Sequence, residues 1–167
     1  LQEPQKQSQY KLSFYTDPEV DHRQLIQNIY FILVEKGVRA RIIRSVDEVK
    51  AIGLLDIMPA RAGKLQAIQF LMQQERFPKD RTVFAGDSGN DLDALTSGLQ
   101  AILVKNATDE VRKEAIEKLA RQQMTNCLYV SKGDFCGMNG NYAAGLLEGL
   151  VHYIPETGDL IDRAVQK

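Results

Sequence analysis

From residue 59 onward, the sequence alternates helical patterns with short apolar strands. In the helical patterns the apolar residues recur every three or four positions, whereas the strands are continuous apolar runs, as in strands that are buried on both faces. The predicted helices are 64–74, 90–97, 108–121 and 141–153, and the predicted strands are 82–85, 101–104 and 128–130. This alternation predicts the α/β class, with a doubly wound parallel sheet that carries helices on both faces.

The first part of the chain follows a different pattern. Its order is strand, helix, strand and strand, and its first strand alternates apolar with polar residues, which is typical of a half-buried strand. The strand candidates are 10–14, 38–45 and 53–58, and the helical pattern covers 21–36. We therefore divide the chain into a small α+β domain, residues 1–58, and part of a parallel α/β core, residues 59–167.

The composition is that of a globular protein. Apolar residues make up 44% of the chain and charged residues 26%, and the net charge of −1 gives no indication of nucleic-acid binding. The two cysteines, Cys127 and Cys136, are too few for a disulfide framework, so we interpret them as reduced thiols of a cytoplasmic protein. The apolar segment 142–153 falls short of the roughly 20 residues that span a bilayer, so no membrane segment is predicted.

The segment 84–91, with the sequence FAGDSGND, places two carboxylates, a hydroxyl and an amide around one tight turn after an apolar strand. Asp87 is expected at the carboxyl end of that strand, Gly86 and Gly89 allow the sharp turn, and Asp91 is expected to open a helix. A hard cation such as Mg²⁺ prefers such oxygen ligands and shares them with a phosphate. The same residue types are also common turn formers and helix caps, so a purely structural interpretation of the turn stays open.

Lys64 is predicted to begin a helix, one loop after a strand. A cation at this end of a helix is unfavourable for the helix dipole, and an anionic ligand beside it would compensate. The alternative is an ordinary surface lysine, since lysine is among the most exposed residue types. If the strand before Asp87 is a neighbour in the sheet, both residues lie at the same sheet edge, where α/β proteins bind ligands.

Lys64 followed by the turn 86–91 resembles motifs III and IV of the haloacid dehalogenase superfamily of phosphatases. The longer pattern, over roughly residues 10–154, is most similar to the sucrose-phosphate phosphatase group and to the phosphatase-like region of sucrose-phosphate synthases. The segments that carry this similarity are 11–18, 55–61, 101–107 and 142–149. The resemblance implies that residues 1–58 are part of the cap and residues 59–167 part of the core of such a phosphatase.

The resemblance also implies a function and a set of site residues. It implies a Mg²⁺-dependent phosphatase that hydrolyses a phosphorylated sugar of the sucrose 6-phosphate class through a phosphoaspartyl intermediate. Asp87, Ser88 and Asp91 are then the residues around the metal. Lys64 and Asp91 are catalytic, and Lys64 and Asn90 contact the substrate.

One motif of the family is missing from this sequence. Motif I, Asp-x-Asp-Gly-Thr or a near variant, carries the nucleophile, and no predicted strand of this chain ends in Asp-x-Asp. Three explanations stay open. The chain is the C-terminal part of a longer phosphatase, or a non-catalytic phosphatase-like module for regulation or interaction, or a phosphatase of another phosphorylated sugar or a glycerate ester.

The missing strand has a consequence for association. A parallel sheet without it exposes an edge and an apolar face. We therefore expect either the missing N-terminal half of the core or a second copy of the chain to cover the open sheet.

Overall fold

The computed structural model describes residues 1–47 and 49–165. The last two residues of the predicted core domain lie outside the described residues. The chain forms two compact units, Leu1–Gly63 and Lys64–Lys167. The sequence pattern divides the chain after residue 58, and the structure divides it after Gly63.

The first unit is a three-stranded antiparallel sheet with one helix. Its elements are β1 (Leu12–Thr16), α1 (His22–Glu35), β2 (Ala40–Asp47) and β3 (Ile52–Pro59). The strand order is β1-β3-β2, so the last strand lies in the middle. Asp21 caps α1 with its carboxylate, which accepts the backbone N–H groups of Arg23 and Gln24.

One face of this sheet is apolar and is covered by α1. Phe14, Leu55 and Ile57 of the sheet line one cavity together with Leu25 and Ile29 of the helix. Alternation along each strand puts these three sheet residues on one face. The unit therefore has the open, one-sided layer that the alternating pattern predicts.

The second unit is built on a three-stranded parallel sheet of order β4-β5-β6. Its elements in chain order are α2 (Lys64–Glu75), β4 (Val83–Gly86), α3 (Leu92–Leu95), β5 (Gln100–Leu103), α4 (Asp109–Arg121), β6 (Leu128–Val130), α5 (Tyr142–Tyr153) and α6 (Gly158–Val165). The parallel pairing confirms the predicted α/β class.

Helices cover both faces of the central strand β5. Ala101 and Leu103 are fully buried in a cluster with Leu95 of α3, and Val111 of α4 packs against that cluster. Ile102 is also fully buried and points to the other face, where α5 packs. The sheet is therefore wound on both sides, as its continuous apolar strands indicate.

Two elements differ from the sequence prediction. The helix predicted over 90–97 is a 3₁₀ turn, Gly89–Asp91, followed by the single α-helical turn of α3. Asp91 closes the 3₁₀ turn by accepting the backbone N–H of Ser88 with its side chain, and the C-cap of α3 is Thr96, two residues before Gly98 with its left-handed φ of 80°. Helix α6 is not predicted at all, although it buries Ile161.

None of the helices in the described ranges has both the length and the apolar character needed to cross a membrane. Cys127 and Cys136 are free thiols.

We expect Gly149→Ala to destabilise the second unit. A Cβ at this position of α5 would lie 2.5 Å from Cγ1 of Ile102, in the buried centre of the sheet. Overpacking of this kind costs typically about 1–3 kcal/mol, which urea unfolding would measure.

Gly158→Ala is the matched control. Its new Cβ would lie at an ordinary 3.5 Å from Cγ1 of Val151, so we expect no loss of stability. Equal effects of the two substitutions would contradict close packing of α5 on β5.

Candidate active site

The candidate site lies at the carboxyl end of β4, where the chain turns toward α3. Gly86 is the last residue of this strand, and a Cβ on it would lie 2.7 Å from the side chain of Asp91. Only glycine therefore lets the strand end approach this carboxylate so closely. The turn that follows carries Asp87 and Ser88.

The Asp91 carboxylate is the centre of the turn, and its side chain is 5% exposed. Its Oδ2 accepts the backbone N–H groups of Asp87 and Ser88, both at 3.2 Å, and lies 2.9 Å from the Ser88 hydroxyl. Its Oδ1 accepts a hydrogen bond from the Lys64 ammonium. Both oxygens are therefore engaged by donors of this chain.

These donors decide the charge state of Asp91. Burial alone would raise its pKa, but the hydrogen bonds from Lys64, from the Ser88 hydroxyl and from the two backbone N–H groups outweigh burial and hold the pKa below the usual value. Asp91 is thus an ionised carboxylate with its lone pairs largely committed to the protein.

Lys64 is the first residue of α2, and its side chain is half exposed. Its ammonium donates to Asn90 Oδ1 at 2.7 Å as well as to Asp91. The carboxylate of Asp91 offsets the unfavourable position of this cation at a helix start. Because an ammonium has three N–H donors, one is left for a further acceptor.

The Ser88 hydroxyl links the two acceptors of Lys64. It lies 3.0 Å from Asn90 Oδ1 and 2.9 Å from Asp91 Oδ2, and its one proton serves one of them at a time. Four of the five predicted site residues, Lys64, Ser88, Asn90 and Asp91, therefore form one hydrogen-bonded network.

Asp87, the fifth predicted residue, has a different partner. Its Oδ2 accepts a hydrogen bond of 2.8 Å from the carboxamide of Asn106, which follows β5. In the described part of the chain, no hydrogen bond or ion pair engages its other oxygen, Oδ1. Sequence reasoning did not single out Asn106, although its place just after a central strand is a signal for a residue at this sheet edge.

The oxygen atoms of the site are of the type that binds a hard cation, although the site has few carboxylates. The described residues contain no group of three or more His, Cys, Asp or Glu side chains that could hold a metal. Mg²⁺ commonly takes only one or two protein carboxylates, with waters and phosphate oxygens as its other ligands. Oδ1 of Asp87 fits one such position, and the roles predicted for the five residues stay predictions.

A buried glutamate fixes the neighbouring loop at this sheet edge. Glu148 of α5 accepts the backbone N–H groups of Lys132 and Gly133, at 2.8 and 2.9 Å, and the Tyr129 hydroxyl at 2.8 Å. Although burial opposes ionisation, these bonds keep the pKa of Glu148 below its usual value. Burial and the bond to Glu148 raise the pKa of Tyr129 to about 12.

Comparison with known proteins places this chain in a family. The model of the sucrose-6F-phosphate phosphohydrolase family matches residues 1–154. A putative HAD-like hydrolase of Nitrosococcus oceani is 56% identical over 157 residues, which are 94% of this chain and 42% of the relative. The kanosamine-6-phosphate phosphatase of Bacillus subtilis is 30% identical over 120 residues, which are 67% of this chain and 43% of that enzyme.

A solved structure shares the fold. The sucrose-phosphatase of Synechocystis sp. PCC6803, solved in complex with sucrose and phosphate, superposes with a TM-score of 0.68 at 24% identity. The superposition covers 92% of this chain and 55% of that structure.

The chain therefore belongs to the sucrose-6F-phosphate phosphohydrolase family, within the HAD-like hydrolases. This confirms the resemblance that Lys64 and the turn 86–91 indicate. The chain spans less than half the length of the two curated relatives described above.

We expect the stability of the second unit to depend on the ionised Glu148. Because its pKa is lowered from 4.5 by folding, its contribution is present in full above that pH and is lost as the pH falls through the folded-state value. Glu148→Gln puts an amide among N–H donors, so it should lower stability at pH 7 by about 1–3 kcal/mol. The free energy of unfolding of this variant should also decrease less than that of wild type between neutral and acidic pH.

Urea unfolding of wild type and variant across this pH range tests the expectation. Glu114→Gln, on the exposed face of α4, is the control with the same change of charge. If both variants follow the wild-type pH profile, the hydrogen bonds to Glu148 do not stabilise its charged form.

Proposed function

We propose that this chain contributes the cation and phosphate site of a Mg²⁺-dependent sugar-phosphate phosphatase. The observation that carries the proposal is the network in which Asp91 and Asn90 hold the Lys64 ammonium on the same turn as Asp87. Family membership makes a phosphatase of the sucrose-phosphatase type the expected class.

The arrangement suits phosphoryl transfer because that reaction needs positioned positive charge more than it needs acid–base groups. The third N–H of Lys64 would donate to a phosphate oxygen. Asp91 holds the ammonium in position, and its own oxygens are already occupied, so we assign it to Lys64 rather than to direct ligation of a metal. Asn90 orients the ammonium through its Oδ1.

Asp87 is the residue that would hold the metal. Its Oδ1 is the oxygen without a partner among the described residues, and Ser88 lies beside it in the turn. When bound, Mg²⁺ supplies charge neutralisation and orientation for the phosphoryl group. The other ligands would be waters, phosphate oxygens and a group from outside this chain.

The described residues of the site leave no carboxylate for the role of nucleophile. Asp87 and Asp91 are assigned to the metal and to Lys64, so neither is free to attack phosphorus. In the proposed reaction a carboxylate oxygen from another segment bonds to phosphorus as the bond to the sugar oxygen breaks, and the sugar oxygen takes up a proton from solvent, to which the later hydrolysis returns one. Water then hydrolyses the acyl phosphate and releases inorganic phosphate.

The free edge of β4 is where that segment fits. Among the described strands, β4 pairs only with β5, so its other edge offers unpaired backbone groups beside the site. Phe70, Leu71 and Phe77, in and after α2, are each more than half exposed, and α2 has no buried residue. We propose that the missing half of the core adds a strand here and covers this apolar surface, with a second copy as the alternative occupant.

Two phosphorylated sugars are candidate substrates. The family description and the sucrose-phosphatase structure favour sucrose 6-phosphate, and the Bacillus relative favours an amino-sugar phosphate such as kanosamine 6-phosphate. The leaving group is an alkoxide in both, so the chemistry at phosphorus is common to the two candidates.

The test is to fuse the chain to the part of the Nitrosococcus relative that it does not match, and to measure phosphate release from both sugar phosphates. We expect Mg²⁺-dependent turnover of the fusion and none from the chain alone. Lys64→Met and Asp87→Asn should each slow the fusion by about 10²–10³-fold, because each removes a charge that stabilises the transition state.

Asp80→Asn is the matched control, since this exposed carboxylate precedes β4 and so lies at the opposite end of the strand. It should leave the rate unchanged. A folded fusion that releases no phosphate, under conditions in which the whole relative is active, would favour a non-catalytic module over the proposed enzyme.

A further inference from the structure

Asn106 connects the turn after β4 to the first residue of α5 through two hydrogen bonds of its side chain. We propose that Asn106 is a positioning residue. Its carboxamide is held by the first residue of α5, orients the Asp87 carboxylate, and leaves Oδ1 of Asp87 as the oxygen for the cation. The inference rests on the proposed function and assigns a role to a residue outside the predicted site.

The two hydrogen bonds of the Asn106 side chain determine its orientation. Nδ2 donates to Asp87 Oδ2 at 2.8 Å, and Oδ1 accepts the backbone N–H of Tyr142 at 2.8 Å. A carboxylate oxygen accepts and a backbone N–H donates, so the carboxamide satisfies both partners in one orientation only. The same side chain thereby selects which oxygen of Asp87 is engaged.

The backbone on both sides of this bridge is held firmly. The N–H of Lys105 donates to the carbonyl of Gly140 at 3.0 Å, and that of Ala107 donates to Val104 at 3.0 Å. Tyr142 has a φ of 47°, a left-handed conformation that an aromatic residue rarely adopts. The hydrogen bond from Tyr142 to Asn106 is one of the contacts that hold this conformation.

The uncharged character of Asn106 matters for the proposed metal. No cationic side chain bonds to Asp87 among the described residues, in contrast to Asp91, which bonds to Lys64. An amide donor orients the Asp87 carboxylate without neutralising it, so the negative charge stays available to a cation. Hydrogen bonds of this kind to a ligating carboxylate typically change metal affinity by about 10–100-fold.

The experiment measures Mn²⁺ binding to this chain by paramagnetic broadening of backbone amide signals in NMR spectra. In wild type we expect selective broadening around Asp87. Asn106→Leu keeps a similar size but removes both hydrogen bonds, and we expect it to weaken Mn²⁺ binding about 10-fold or more.

The matched control is Ser131→Ala, which removes the hydrogen bond of 2.9 Å from the Ser131 hydroxyl to the Gly145 carbonyl and so also loosens α5. We expect both variants to lower the melting temperature, but only Asn106→Leu to weaken Mn²⁺ binding. Weakened binding in Asn106→Leu alone supports the positioning role.

Three results would overturn the inference. Unchanged Mn²⁺ affinity in Asn106→Leu, with normal wild-type binding, refutes the positioning role alone and leaves the proposed function intact. Equal weakening in Ser131→Ala assigns the effect to α5 stability instead. A wild-type chain in which Mn²⁺ broadens no signal around Asp87 counts against both the inference and the proposed metal site.

Discussion

The arrangement of the site depends on one buried carboxylate, that of Asp91. It gathers two backbone N–H groups, a hydroxyl and an ammonium around two oxygens, and it keeps its charge despite being almost fully buried. An ionised group in such a position is tolerated only when its hydrogen bonds replace those of water. The turn after β4 therefore has little freedom, because moving Ser88 or Asp87 would remove donors from Asp91.

Because of this constraint, the two carboxylates of the turn, Asp87 and Asp91, have different roles. Asp91 has a cation and donors on both of its oxygens, whereas Asp87 has only the neutral donor Asn106 and one oxygen without a partner in the described residues. Four positions apart in sequence, they differ in what they can bind. The proposed phosphatase chemistry uses this difference: one carboxylate places the lysine, and the other is available to a metal.

Much of this architecture could be predicted from the sequence because its signals are local. The continuous apolar strands predict the parallel sheet, and Lys64 with the turn 86–91 is specific enough to indicate the family. The apolar spacing of Leu92 and Leu95 predicts a longer helix than α3, while the side-chain contacts of Asp91 are visible only in three dimensions. Asn106 and Glu148 act on residues that are distant in sequence, through the loops that meet at one sheet edge, and no periodicity reports such contacts.

We propose that Asp87 and Lys64 form one half of a metal and phosphate site. Crystals of the chain soaked with Mn²⁺ and inorganic phosphate test this proposal, since the anomalous signal of manganese locates the metal. We expect Mn²⁺ on Oδ1 of Asp87, with a phosphate oxygen within hydrogen-bond distance of the Lys64 ammonium. Mn²⁺ bound elsewhere, or phosphate away from Lys64 while the turn keeps its geometry, would contradict it.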